Sequence, residues 1–300
     1  MKQFIGRMFS PKIARNLSGS PVVMLAIGAM AFMIVVSVLT PWIAPYDTYD
    51  LQSFNLIDSL LPPVWIEGGV WQYLLGTDDQ GRDLLSALMN GLRISLIVGF
   101  ASITLSALIG VSLGLLAGYF RGPLDAVVMR VAEVQQTFPA ILVALLLDGL
   151  LRGTIGSSGG YWMVVIAIAL SSWVEYARAV RASTMIESTK DYVLAARAME
   201  RSAFVILVKH ILRNVSGPIL VIGTINLGAA IMTEATLSFL GLGVPSTQPS
   251  LGTLIRIGNS FLFSGEWWLT LFPGVLLAAI ALSINFLGDW LRDILNPRLA

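Results

Sequence analysis

The 300-residue chain contains no cysteine and a single histidine, His210. The lack of cysteine excludes disulfides, thiol catalysis and cysteine-ligated metal in this chain. Charged residues make up only 12% of it, and the net charge of +1 gives no reason to expect nucleic acid as a partner. The sequence has no GxxxxGK[ST] phosphate-binding loop, so ATP-driven work would require an ATPase on another chain. It also shows no internal repeat of the kind typical of inverted-repeat secondary transporters.

Apolar sequence is abundant instead. Hydrophobic residues make up 56% of the chain and the mean hydropathy is +0.78, outside the usual balance of a soluble domain. Most of the uncharged runs exceed the roughly 20 residues needed to cross about 30 Å of hydrocarbon. These runs are 22–44, 94–118, 134–147, 153–174, 214–233 and 267–288. They predict an all-α membrane protein with six transmembrane helices, of which the third is the least clean and is expected to begin near Ala126.

The distribution of Lys and Arg predicts the orientation. The first apolar run is too long for a signal peptide, so it is interpreted as a retained span. If the N-terminus is inside, fifteen of the nineteen Lys and Arg residues lie in inner segments, which places both termini in the cytoplasm. The chain then divides into a cytoplasmic segment 1–21, a first span 22–44, an external segment 45–92 and a core with five spans at 93–300.

The external segment ends in an acidic motif, GTDDQGRD at 76–83. Its four charged side chains suggest either a metal-binding loop or helix capping with an Arg–Asp pair. The spacing lacks the alternating ligands and terminal Glu of an EF-hand, which favours capping.

Polar side chains inside the apolar runs are costly in lipid and therefore attract functional hypotheses. Gln136 in the third span and Glu234 in the fifth are predicted to line a translocation path, although hydrogen bonding between helices would explain Glu234 equally well. His210 is interpreted as a surface or interface side chain. Trp267 and Trp268 are interpreted as anchors at the membrane boundary.

A charged, alanine-rich stretch, STKDYVLAARAMERSAFVILVKHILRN, separates two apolar runs at 188–214. Ser188 and Asp191 fit a capping-box-like helix start. At 100° per residue, one narrow arc collects the side chains of Tyr192, Ala195, Ala196, Met199 and Ala203. A second amphipathic helix is predicted from Phe204. From periodicity alone, the stretch either lies along the membrane surface or docks against another protein.

The same stretch resembles the cytoplasmic EAA loop of ATP-binding-cassette (ABC) importer permeases, specifically the second permease subunit of dipeptide, oligopeptide and nickel importers. Four further segments resemble that family in the same order: 76–99, 124–145, 239–255 and 271–299. The resemblance implies the type I ABC importer permease fold, with coupling helices at about 188–212. The residues it assigns to ATPase coupling are Tyr192, Ala195, Ala196, Met199, Glu200, Ala203 and Leu212.

The resemblance also implies the partners of the chain. These are a homologous permease subunit, two cytoplasmic ATPases that bind ATP and Mg, an external solute-binding protein and membrane lipid. The chain itself is expected to be a transport subunit rather than an enzyme, with no cofactor. Peptide is the expected cargo. Nickel or another small solute remains an alternative, and an ion-coupled secondary transporter is a less favoured one.

Three residues depart from the family motif. Leu194 stands where the motif has Glu, Glu200 where it has Gly, and Arg213 where it has Pro. Glycine takes positive φ most easily, so its loss predicts a bend that is built differently or lies one residue along, near Arg201–Ser202.

Overall fold

The computed structural model describes residues 21–48, 56–156, 159–245 and 248–295. Residues 1–20 of the expected cytoplasmic N-terminal segment and the last five residues lie outside this description. Within the described ranges the chain forms no β-strand, and it is built from α-helices, short 3₁₀ turns and a π-helical turn. The helices are α1 (Pro21–Ile43), α2 (Leu84–Phe120), α3 (Gly122–Gln136), α4 (Ala140–Ile155), α5 (Trp162–Glu187), α6 (Asp191–Ala198), α7 (Ala203–Phe239), α8 (Leu251–Phe261) and α9 (Trp268–Leu295).

Five of these helices, α1, α2, α5, α7 and α9, are long and apolar enough to cross a membrane. The sixth expected span is broken. Helices α3 and α4 pass the same test only as a pair, and their axes differ by 97°. Pro139 immediately precedes α4 at this break, where its missing N–H and its ring disfavour a continuous helix. The third span therefore begins at Gly122, earlier than the Ala126 expected from the sequence, and turns sharply at 137–139.

Residues 97–237 and 242–244 form one compact unit, in which α2 packs closely on α5. Three glycines spaced four residues apart lie on one face of α2 and meet the backbone of α5: Gly110, Gly114 and Gly118. A Cβ atom at these positions would lie 2.3, 2.5 and 2.7 Å from the carbonyl oxygens of Trp173, Ala177 and Arg181. Small residues at this spacing let membrane helices approach each other backbone to backbone.

The second unit comprises the described residues up to 96, residues 238–241 and the described residues from 245 onward. In it α9 packs on α1 and on α8. The glycines and prolines of the stretch 239–252 predict an external loop after the fifth span. The structure adds the helix α8 at the end of that stretch. Ser250 caps α8 by accepting a hydrogen bond from the Thr253 backbone N–H at 3.3 Å.

Candidate coupling site

The bend that follows α6 lies at Glu200, whose φ is 53°. The Glu200 N–H donates to the Arg197 carbonyl at 2.9 Å, and the Arg201 N–H donates to the Ala196 carbonyl at 3.2 Å. These two bonds are the pair that defines a Schellman helix end, with Glu200 at its left-handed position. The expectation of a bend near Arg201–Ser202 is therefore wrong. The bend stays where the family motif has glycine, and a glutamate adopts the glycine conformation.

The N-terminal end of α6 also differs from expectation. Lys190 occupies the capping position and makes no side-chain capping hydrogen bond. The Ser188 hydroxyl instead donates to the Met185 carbonyl at 2.9 Å and so belongs to the end of α5. The capping box of Ser188 and Asp191 is not formed, although Asp191 does stand in the first turn of α6, where a negative charge is favourable.

The eight residues of α6 present two faces. Val193 and Ala196 are buried, and they pack in an apolar cluster with Leu115, Val180 and Ile206. Ala195 and Met199 are exposed. The single docking arc predicted from the sequence is therefore split, because the rotation of so short a helix is set by the cluster beneath it. Ala196 supports the fold of this chain, whereas Ala195 and Met199 are free to meet a partner.

The part of the chain after the bend is continuous with a span. Ser202 caps α7 by accepting a hydrogen bond from the Val205 backbone N–H, and half-buried Ala203 is the first residue of the helix. Residues Ile206–Ile211 form a π-helical turn, a wider winding often found at functional sites. The expected second amphipathic helix is thus the first part of α7. Leu212 is half-buried and packs against the apolar cluster.

The exposed apolar side chains around the bend form what we call the bend surface: Leu194, Ala195, Met199, Phe204 and Val208. Phe204 and Met199 are 74% and 64% exposed. Exposed basic residues surround them, namely Arg197, Arg201, Lys209 and Arg213. Two of the three departures from the family motif, Leu194 and Arg213, thus lie on this surface or its rim. Large apolar side chains exposed together mark a site of contact with another protein or with the membrane.

Polar contacts tie α6 to the neighbouring helix ends. The Arg197 guanidinium lies 4.6 Å from the centre of the Tyr119 ring, near the end of α2. The Tyr192 hydroxyl donates to the Glu187 carboxylate and accepts from the Asn214 amide at 2.8 Å. Burial raises the pKa of the Tyr192 hydroxyl, and the hydrogen bond to the Glu187 carboxylate raises the same pKa further. His210 is half-buried, with its ring centre 6.4 Å from that of Tyr192.

The two residues predicted to line a path occupy different environments. Gln136 is exposed at the last position of α3, next to the break. Glu234 is fully buried within α7. The sequence-based prediction preferred Gln136 to its neighbour Gln135, but Gln135 makes the more extensive contacts. Its amide donates to the carbonyls of Leu170 and Ser171, both at 2.9 Å, and its oxygen accepts from the Trp173 indole at 2.9 Å.

The GTDDQGRD motif forms a closed hydrogen-bonded turn at the start of α2. Asp78 pairs with Arg82 at 2.6 Å, and both side chains are buried. Asp83 accepts from the Ser86 backbone N–H at 2.8 Å and from its hydroxyl at 2.6 Å, which caps the helix. In the part of the chain that the structure describes, no group of three or more His, Cys, Asp or Glu side chains could hold a metal ion. The geometry agrees with the capping interpretation.

The described chain is thus a multi-span helical membrane protein with an exposed apolar bend between two of its spans. Residues 110–300 match the family of binding-protein-dependent transport system inner membrane components, to which this chain belongs. Residues 12–63 match the N-terminal transmembrane domain of oligopeptide transport permease C.

Curated relatives cover almost the whole chain. The di/tripeptide permease DppC of Pseudomonas aeruginosa is 37% identical over 91% of this chain and 88% of its own length. The dipeptide permease DppC of Haemophilus influenzae is 37% identical over 91% and 90%. A solved chain of the MetNI methionine ABC transporter in an inward-facing conformation matches with a TM-score of 0.58 at 21% identity. That match covers 71% of this chain and 98% of the other. The fold is that of a type I ABC importer permease, and the chain is a transport subunit.

Proposed function

We propose that this chain is one of two homologous permease subunits that together form a path for di- and oligopeptides across the bacterial cytoplasmic membrane. The observation that carries the proposal is the similarity, over about nine-tenths of both chains, to permeases named for dipeptide and di/tripeptide transport. Transport proceeds inward by alternating access, in which two arrangements of the spans are biased by ligands and by partner chains.

The energy comes from partners. Two cytoplasmic ATPases bind ATP and Mg and hydrolyse the ATP, an external binding protein delivers the peptide, and this chain carries no cofactor. Both termini lie in the cytoplasm, as the bias of Lys and Arg toward inner segments supports. The bend between α6 and α7 then faces the cytoplasm, on the side of the ATPases.

The bend surface is the docking element for one ATPase. Phe204 and Met199 supply apolar area that is left exposed by this chain alone. Ala195 is small enough to allow close approach of the two backbones. The surrounding basic side chains favour a groove with acidic walls and fix the orientation of the contact.

Substituting Ala195 tests this assignment. We expect Ala195→Arg to abolish co-purification with the ATPases and ATP-dependent uptake in proteoliposomes, while membrane insertion is unaffected. Ala196→Arg is a poorer test, because Ala196 is buried and arginine there would disturb the apolar cluster itself. The matched control is Ala182→Arg, the same change at an exposed alanine of α5 outside the bend. An Ala195→Arg protein that keeps its ATPases and transports normally would show that the bend surface is not the docking element.

The cargo is tested in the same vesicles. Uptake of labelled dipeptide should depend on ATP and should be competed by unlabelled peptide but not by nickel. Uptake that persists after ATP depletion would indicate ion-coupled transport instead.

A further inference from the structure

Three segments of the chain meet at one hydroxyl group. Glu187 is the last residue of α5, Tyr192 is the second residue of α6, and Asn214 lies in α7. The Tyr192 hydroxyl donates to Glu187 and accepts from the Asn214 amide at 2.8 Å. One side chain thus bridges α6 to two long helices that each qualify as a membrane span.

The Tyr192 hydroxyl uses most of its hydrogen-bonding capacity in these two contacts. A phenol offers one donor and two acceptor sites, and here the donor and one acceptor are used. The second oxygen of the Glu187 carboxylate accepts from the Lys190 ammonium group, so that carboxylate also joins the connection between α5 and α6. The Glu187 side chain is only 13% exposed, which weakens competition from water.

Apolar packing alone does not fix the orientation of α6. An isolated helix of eight residues is unstable, so its position depends on its contacts. Val193 and Ala196 hold it against the apolar cluster, but such contacts are non-directional. The hydrogen bonds of Tyr192 are directional, and they connect α6 to α5 and α7 at once.

We propose that Tyr192 is a positioning residue that passes movement of the bend surface to α5 and α7, which makes it a coupling residue that does not itself bind the ATPase. This inference rests on the proposed function, since it assigns a role within the same site. Docking and transmission are then separate tasks, carried by the exposed apolar side chains and by the Tyr192 hydroxyl respectively.

Tyr192→Phe separates the two tasks, because it removes the hydroxyl and keeps the ring. In the full transporter reconstituted in proteoliposomes, we expect normal co-purification of the ATPases. The number of peptides transported per ATP hydrolysed should fall about tenfold, the factor expected for losing one charge-assisted hydrogen bond. Tyr161→Phe, which removes a hydroxyl at the other end of α5, should leave this ratio unchanged.

Asn214→Ala removes the hydrogen bond that the Asn214 amide donates to the Tyr192 hydroxyl. It should lower the same ratio, and the double variant with Tyr192→Phe should be far less impaired than the product of the two single effects. A wild-type ratio in Tyr192→Phe would overturn the proposal, and so would a Tyr192→Phe protein that no longer binds its ATPases. Either result leaves the docking assignment to be judged separately from Ala195→Arg.

Discussion

The contact between α2 and α5 gives a quantitative prediction for Gly114→Ala. The added Cβ would lie 2.5 Å from the Ala177 carbonyl oxygen and 3.0 Å from the Val180 Cβ. The first distance is about 0.9 Å shorter than an ordinary van der Waals contact of roughly 3.4 Å. The atom in the way belongs to the backbone and cannot rotate aside, so the two helices must separate.

The size of the effect follows from two opposing terms. Overpacking costs about 1–3 kcal/mol, and the upper part of this range applies because the clash is with backbone. Replacing a helical glycine by alanine stabilises the helix by up to about 1 kcal/mol, which offsets part of this cost. We therefore expect Gly114→Ala to destabilise the folded permease by about 2 kcal/mol.

Denaturant titration of the detergent-solubilised transporter measures this quantity. The matched control is Gly28→Ala in α1, where no atom of the described chain lies within 4 Å of the added Cβ. That variant should be as stable as the parent or more stable, by up to about 1 kcal/mol. If Gly114→Ala and Gly28→Ala shift the midpoint equally, then α2 and α5 do not approach as closely as the structure shows.

Three further predictions concern stability elsewhere. Since Glu200 has φ 53°, Glu200→Gly should slow hydrogen exchange of the amides at the bend, whereas Glu200→Val should accelerate it. Arg152 pairs at 2.6 Å with the fully buried Asp148 and also donates to the Gly243 carbonyl. Arg152→Met should therefore lower the free energy of unfolding by about 3–5 kcal/mol. Adding Asp148→Asn should restore most of the lost stability. Burial, followed by the charge of Asp78, raises the pKa of Asp79. The protonated Asp79 carboxyl therefore contributes its full stability below the usual aspartate pKa of about 4. This stability is lost as the pH rises through the raised pKa of the folded protein. Asp79→Asn should raise the unfolding temperature at neutral pH and flatten its dependence on pH.

The spans could be predicted from the sequence because hydropathy is a local property. Each uncharged run marks a helix or a broken pair of helices, whatever the rest of the chain does. The break at Pro139 could not be singled out in the same way, because Pro41, Pro218 and Pro273 lie inside helices that continue through them. The short helix α8 was missed because a run of glycine and proline directly before it favours a loop, and only Ser250 signalled its start.

The faces of α6 could not be predicted in the same way. Periodicity gives the angle between side chains but not which side turns inward. That choice depends on Leu115 and Val180, which lie on other helices and reach α6 only in the folded chain. An alanine side chain fits both a buried position in an apolar cluster and an exposed position that contacts a partner protein. The sequence therefore identified Ala195 and Ala196 together without showing that they face different ways.

Glu200 shows what a motif glycine specifies in this site. A left-handed conformation costs a non-glycine residue about 1–2 kcal/mol, and that cost was the reason to expect the bend elsewhere. Moving the bend would forfeit both Schellman hydrogen bonds, made by the N–H groups of Glu200 and Arg201. It would also rotate α7 relative to the buried Val193 and Ala196. Because keeping the bend in place costs less than moving it, the glycine of the motif specifies a backbone conformation and not a side-chain contact. The direction in which the bend surface is presented is therefore set by backbone hydrogen bonds and by the apolar cluster, and position 200 requires only a residue that tolerates a positive φ.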